Sequence, residues 1–161
     1  EHFGVRPEIA VIAKAIGGGL PLGAFLGNER VEDVLSYGVH GTTFGGNPVA
    51  CAAGVAVLDE VLHYGLMKNA EEIGKTIKAG AENLKTEFPQ LIRDVRGFGC
   101  MMGIELAMDG QPVVDAMQSR GILINCTNTT VLRLLPPLNL EKEHCEVFLQ
   151  NLREVLQTIS K

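Results

Sequence analysis

The sequence predicts an α/β segment over residues 1–64 followed by an α+β domain over residues 65–161, and three observations carry that reading. The first part alternates short, uniformly apolar runs with glycine-rich turns and closes on one almost wholly apolar helix. After Gly65 the apolar residues take up a one-faced helical period instead. Between the two long amphipathic helices of this second part lie several strand-like runs separated by turn residues.

Taken in order, Ile9 to Ala13 reads as a buried strand that ends at Lys14 and the cluster Gly17-Gly18-Gly19, and Gly23 to Leu26 reads as a second strand. A polar stretch rich in Gly and Thr runs from Gly38 to Asn47. Pro48 then stands where a first helical turn tolerates proline, and the apolar run through Leu62 predicts a helix. Val55, Leu58, Val61 and Leu62 leave it few polar faces, so it is expected to be sandwiched between other elements. From Leu66 to Phe88, the residues Ile73, Ile77, Ala81, Leu84 and Phe88 share one face, and Pro89 is the stop. Ile92 to Arg96 and Met101 to Leu106 read as strands around Gly97 and Gly99. A short helix, Pro112 to Ser119, leads into strands at Ile122–Asn125 and Val131–Leu135, and a last amphipathic helix spans Glu141 to Ile159.

The first part holds two strands and one helix, too few to cover both faces of a parallel sheet. It reads as a piece of something larger. Open sheet edges and apolar surface are expected, and with them association of the isolated chain with itself or with a missing segment.

Bulk properties narrow the function. With 46% apolar residues in 161, the chain can bury a real core. Its formal charge of −5 is spread out and no basic stripe appears, which argues against nucleic acid. No apolar run approaches the roughly 20 residues that span a bilayer and no targeting pattern opens the chain, so no membrane role and a cytoplasmic location are expected. Cys51, Cys100, Cys126 and Cys145 form no CxxC pair and no zinc spacing with the histidines; they read as reduced, mostly buried small hydrophobes, with no metal site.

Lys14 is the most informative residue. At the end of an apolar strand beside three glycines its ammonium is expected to be poorly solvated, which lowers a lysine pKa and exposes a nucleophilic amine. Position alone favours a lysine that snorkels its charge to water. Gly17 to Gly19 match neither GxGxxG nor a P-loop, since no GK[ST] follows, which sets aside a nucleotide-binding domain. Thr43 could be a turn hydroxyl bonding its own backbone. Arg133, in an apolar strand, presents a planar fork suited to a carboxylate or to a structural ion pair. His2 and His40 read as structural or surface histidines.

Three strings in register narrow these alternatives: Glu1-His2-Phe3-Gly4-Val5, then Ala13-Lys14-Ala15-Ile16-Gly17-Gly18-Gly19-Leu20-Pro21-Leu22-Gly23-Ala24, then His40-Gly41-Thr42-Thr43-Phe44-Gly45-Gly46-Asn47-Pro48. Together with Arg96-Gly97-Phe98-Gly99, Gly103-Ile104-Glu105-Leu106 and Leu132-Arg133-Leu134-Leu135-Pro136-Pro137-Leu138, they resemble the class III pyridoxal-phosphate-dependent aminotransferases over essentially the whole chain. Within that class the acetylornithine aminotransferases are the most similar. The resemblance implies that residues 1–64 are the last strands and helix of a fold-type I large domain and that residues 65–161 are the small C-terminal domain. It also implies pyridoxal 5'-phosphate as cofactor, a Schiff base at Lys14 and proton shuttling by the same amine. By the same resemblance Thr43 binds the cofactor phosphate across a homodimer interface, Thr42 stands near the substrate where the family usually has serine, and Arg133 binds the substrate α-carboxylate. The implied reaction moves an amino group between N-acetylornithine, or a related ω-amine, and 2-oxoglutarate in arginine biosynthesis. Ornithine, succinylornithine and 4-aminobutyrate aminotransferases are the neighbouring alternatives. The acid that holds the ring nitrogen, the stacking aromatic and the same-subunit phosphate loop are implied to precede the segment beginning at Glu1. The isolated chain is therefore expected to be inactive, or to serve only as a folding or interaction module.

Overall fold

The computed structural model describes residues 3–160, so Glu1 and His2 of the first string lie outside the described residues. The chain divides into two compact units, one ending at Tyr64 and one beginning at Gly65.

In the first unit β1 (Ile9–Ile12) and β2 (Ala24–Gly27) pair antiparallel, with Ile9 opposite Gly27 and Ile12 opposite Ala24. The expected parallel arrangement is not found between them. Parallel neighbours need a crossover of about a dozen residues or more, and the short link from Ala13 to Gly23 can only reverse the chain. Nor is β1 buried: Val11 is 74% exposed and Ile9 50%, because the unit places no layer across the pair. The helix α1 (Pro48–His63) packs instead on the turn that joins the strands. Its start is set by Asn47, whose Oδ1 accepts from the backbone N–H groups of Val49 at 3.0 Å and Ala50 at 3.1 Å, with Pro48 in the first helical position. Ala50 and Gly54 are its buried residues, while Val49, Val55, Leu58 and Leu62 face water. The sandwiched helix expected from its composition is thus exposed here.

The second unit is an antiparallel sheet under three helices. In chain order it runs α2 (Leu66–Glu87), β3 (Ile92–Phe98), β4 (Met101–Leu106), α3 (Gln111–Gln118), β5 (Asn125–Thr127), β6 (Val131–Leu134) and α4 (Lys142–Ile159), with strand order β3-β4-β6-β5. Strand alternation sends Ile104, Leu132 and Leu134 inward to meet Ile73 and Ile77 of α2, Met117 of α3 and Leu152 and Leu156 of α4. Each such side chain contributes about 1.5–3 kcal/mol of apolar transfer, which makes this face the core. The opposite face carries Asp94, Arg96, Glu105 and Arg133. The strand expected at Ile122–Asn125 begins only at Asn125. Continuing the β5–β6 register would set residues 121 and 122 against Pro137 and Pro136, which have no N–H to give, so the two chains part there.

Burial raises the Cys100 and Cys145 thiols above their ordinary pKa, as expected of cysteines acting as core hydrophobes. Cys126 is half-buried and Cys51 is exposed on α1, so the buried reading fails for Cys51. Among the described residues no single helix is long and apolar enough to cross a membrane.

Candidate active site

Lys14 follows directly from β1. Ala13 is extended (φ −154°, ψ −159°), and Lys14 then turns into the left-handed region with φ 64° to open a single 3-10 turn, Lys14–Gly17. Gly18 (φ 58°) and Gly19 (φ 103°) continue a path that side chains resist. Two backbone bonds close the turn, Gly18 N–H to Ala15 O at 3.0 Å and Leu20 N–H to Gly17 O at 2.9 Å. Small residues let it lie on α1: a Cβ at Gly18 would stand 3.2 Å from Val57 Cγ2, and one at Gly54 would stand 3.4 Å from Ile16 O and 2.6 Å from Leu22 Cδ2. A left-handed lysine costs about 1–2 kcal/mol, so the surrounding turn must impose it. The Lys14 side chain is exposed and makes no hydrogen bond or ion pair among the described residues. The desolvation expected at Lys14 is therefore not supplied, because neither the strand pair nor α1 covers the end of β1.

Thr42 and Thr43 lie in a turn that leads into α1. Gly45 N–H bonds Thr42 O at 3.3 Å, Asn47 N–H bonds Phe44 O at 3.2 Å, and Gly46 takes φ 70°. Both threonines are exposed, and neither hydroxyl makes a hydrogen bond among the described residues. The self-bonded turn hydroxyl is therefore not seen. Lys14 and the two threonines thus belong to the first unit, the turn at Lys14 meeting α1 near Gly54 and Val57 and the threonines lying in the turn before its first residue. His40 is exposed.

Arg133 belongs to the second unit, on the face of the sheet away from the core. Its neighbour across β4 is Gly103 and across β5 is Asn125. It forms no ion pair with an acid among the described residues. Two places further across the sheet, Arg96 Nη1 donates to Asp94 Oδ2 at 2.7 Å and to Glu105 Oε2 at 2.6 Å. These bonds raise the Arg96 pKa, the Asp94 bond contributing most, and the Arg96 bond holds Asp94 below the ordinary carboxylate value. Asp94 therefore stabilises the folded unit at pH values above the unfolded carboxylate pKa, and this contribution is lost as pH falls through the lower folded value. A carboxyl carbon NMR titration is expected to give Asp94 a midpoint below that of an unpaired aspartate. With the two local acids committed to Arg96, Arg133 keeps its donors for another anion. A cleft of about 540 Å³ opens beside it where the chains before β5 and after β6 diverge, lined by Arg120, Leu123, Leu135, His144 and Phe148. Asn125 was not singled out by sequence; only the strand register, which sets it opposite Arg133, marks it.

Against known proteins, the aminotransferase class-III family model matches residues 1–156. Acetylornithine aminotransferase of Methanocaldococcus jannaschii is 46% identical over 161 residues, covering all of this chain and 40% of the relative. That of Streptomyces coelicolor is 46% identical over 156 residues, 96% of this chain and 38% of the relative. The crystal structure of acetylornithine aminotransferase from Elizabethkingia anophelis superposes with a TM-score of 0.90 at 32% identity, over 98% of this chain and 40% of that one. Ornithine aminotransferase from Toxoplasma gondii gives 0.91 at 31% identity, over 99% and 39%. The chain thus spans about 40% of the length of the curated relatives it matches. By family model, identity and fold together, the chain belongs to the class III aminotransferases.

Proposed function

We propose that this chain is the lysine- and arginine-bearing portion of an acetylornithine-type aminotransferase, exchanging an amino group between N-acetylornithine and 2-oxoglutarate with pyridoxal 5'-phosphate. The left-handed backbone at Lys14 carries the reading. An unfavourable conformation is kept at an exposed primary amine, at the residue where the family resemblance puts the cofactor lysine, and strain of that kind is characteristic of functional sites. When bound, the cofactor supplies an electron sink for the carbon that gains or loses the amino group.

The residues present suit that group. The Lys14 Nζ is uncommitted, so as a free amine it can engage an aldehyde and can accept a proton from substrate carbon and return it. The Thr43 hydroxyl is likewise uncommitted and lies just before the N-terminus of α1, where the helix dipole favours a phosphate. In this reading Thr43 serves the partner's site in a homodimer, and the extra methyl of Thr42 narrows the space beside the substrate. Arg133, with no acid of its own, binds a substrate carboxylate in bidentate fashion. Curated relatives named acetylornithine aminotransferase match this chain at 36–46% identity, which supports an acylated substrate. Arginine biosynthesis and a cytoplasmic site of action follow from the same reading.

The acid, the aromatic ring and the same-subunit phosphate loop that such chemistry requires are assigned by the resemblance to sequence outside these residues. The isolated chain is therefore expected to bind cofactor at Lys14 without turning over substrate. Incubation with pyridoxal 5'-phosphate, borohydride reduction and peptide mapping should label Lys14 above the other lysines, with no transamination of N-acetylornithine. Evenly scattered label would show that these residues alone form no cofactor pocket, and turnover by the chain alone would refute its inactivity.

A further inference from the structure

We infer that Asn125 is a positioning residue for the Arg133 guanidinium, an inference that rests on the proposed carboxylate-binding role of Arg133. The two residues are register partners at the last pair of the β5–β6 ladder, just before the chains diverge. In the amide orientation that satisfies both of its polar atoms, Asn125 donates its side-chain N–H to the Arg133 carbonyl oxygen at 3.1 Å. Its side-chain oxygen accepts from Arg133 Nη2 at 3.0 Å. One amide thereby holds the arginine at both ends, backbone and guanidinium. A guanidinium has five N–H donors in a rigid fork, so fixing one Nη sets the direction of the rest while leaving them available.

The surroundings make this clamp the local determinant of where the fork points. On the β4 side the register partner is Gly103, which has no side chain to restrain the arginine. Asp94 and Glu105, the acids on the same face, are bonded to Arg96. Asparagine holds the fork without neutralising it. An aspartate in its place would supply a carboxylate and compete with the substrate's. The identity of residue 125 thus sets how readily Arg133 accepts an external anion.

The test uses the full 161-residue chain, labelled with ¹⁵N, and follows the Arg133 side-chain resonances during titration with 2-oxoglutarate. In the parent chain the Nε signal is expected to move with added dicarboxylate, and the ligand-free Nη2 protons to exchange slowly through their bond to Asn125. Asn125→Ala should speed that exchange and weaken 2-oxoglutarate binding about three- to ten-fold, the net worth of one ordinary hydrogen bond. Asn125→Asp, nearly isosteric at an exposed strand end, should preserve slow exchange yet weaken binding more than alanine does. A parent chain whose Arg133 signal ignores 2-oxoglutarate overturns the carboxylate role of Arg133, and this inference with it. An Arg133 that responds identically in the parent, Asn125→Ala and Asn125→Asp leaves that role standing and overturns the positioning role of Asn125 alone.

Discussion

Gly74→Ala is expected to destabilise the second unit by about 2 kcal/mol. Gly74 is buried in the middle of α2, where the glycine hairpin between β3 and β4 comes against the helix. A Cβ there would stand 2.2 Å from the Gly99 carbonyl oxygen, 2.7 Å from its carbon and 2.8 Å from its Cα. Those atoms are backbone, so no rotamer change relieves the contact. The hairpin is also stiff, since Gly97 (φ 148°) would itself set a Cβ 2.2 Å from the Met101 carbonyl. Overpacking of this kind costs about 3 kcal/mol at the upper end of its usual range, and the better helix propensity of alanine returns about 1 kcal/mol. Gly80→Ala on the same helix is the control. Its nearest neighbours are the tips of the Leu149 side chain, which can swing aside, so the propensity gain should leave that variant within about 1 kcal/mol of the parent. Urea unfolding followed by a probe in the second unit measures both. Equal stabilities for the two variants would show that the hairpin yields to the helix. The effect reaches the site, because this hairpin fixes the β3–β4 register that puts Arg96 opposite Gly103, and Gly103 in turn faces Arg133.

What could be read from the sequence follows from where each pattern is decided. The second unit was legible almost element by element because its patterns are answered within it. The face built by Ile73, Ile77, Ala81 and Leu84 meets Ile104 and Leu132, and strand alternation on β6 separates Leu132 and Leu134 from Arg133. The early start of β5 that the apolar run before Asn125 suggests fails because Pro136 and Pro137 have no N–H to give the chain opposite. In the first unit the apolar runs at Ile9–Ile12 and Val55–Leu62 call for burial by their composition, a condition that the described residues do not supply. The antiparallel pairing followed from the length of the link from Ala13 to Gly23, a simpler signal than hydrophobicity. Lys14, Thr43 and Arg133 were picked out by motif, since a lysine, a turn threonine and a strand arginine are individually commonplace. The left-handed turn at Lys14 and the Asn125 clamp exist only in three dimensions: a backbone angle and a cross-strand register leave no mark on a single sequence.

Lys14→Gly separates the two demands on this position, because it is expected to make the turn more stable while abolishing capture of the cofactor. Glycine adopts φ 64° without the Cβ penalty that lysine carries, so the folded turn should gain about 1 kcal/mol, reduced somewhat by the greater freedom of glycine when unfolded. Hydrogen exchange reads this locally, without requiring the two units to unfold together. The amides of Gly18 and Leu20, which close the turn onto Ala15 and Gly17, should exchange up to about five-fold more slowly in Lys14→Gly than in the parent. Lys14→Ala keeps the Cβ and the strain, so its exchange should match the parent while its borohydride-trapped label is equally lost. Faster exchange in Lys14→Gly would mean that the lysine stabilises its turn and that the angle reflects local packing. Slower exchange coupled with lost label would mean that this chain retains a destabilising residue where glycine would fold better. Fold stability alone offers no reason for a lysine at that angle, whereas a covalent role for the amine does.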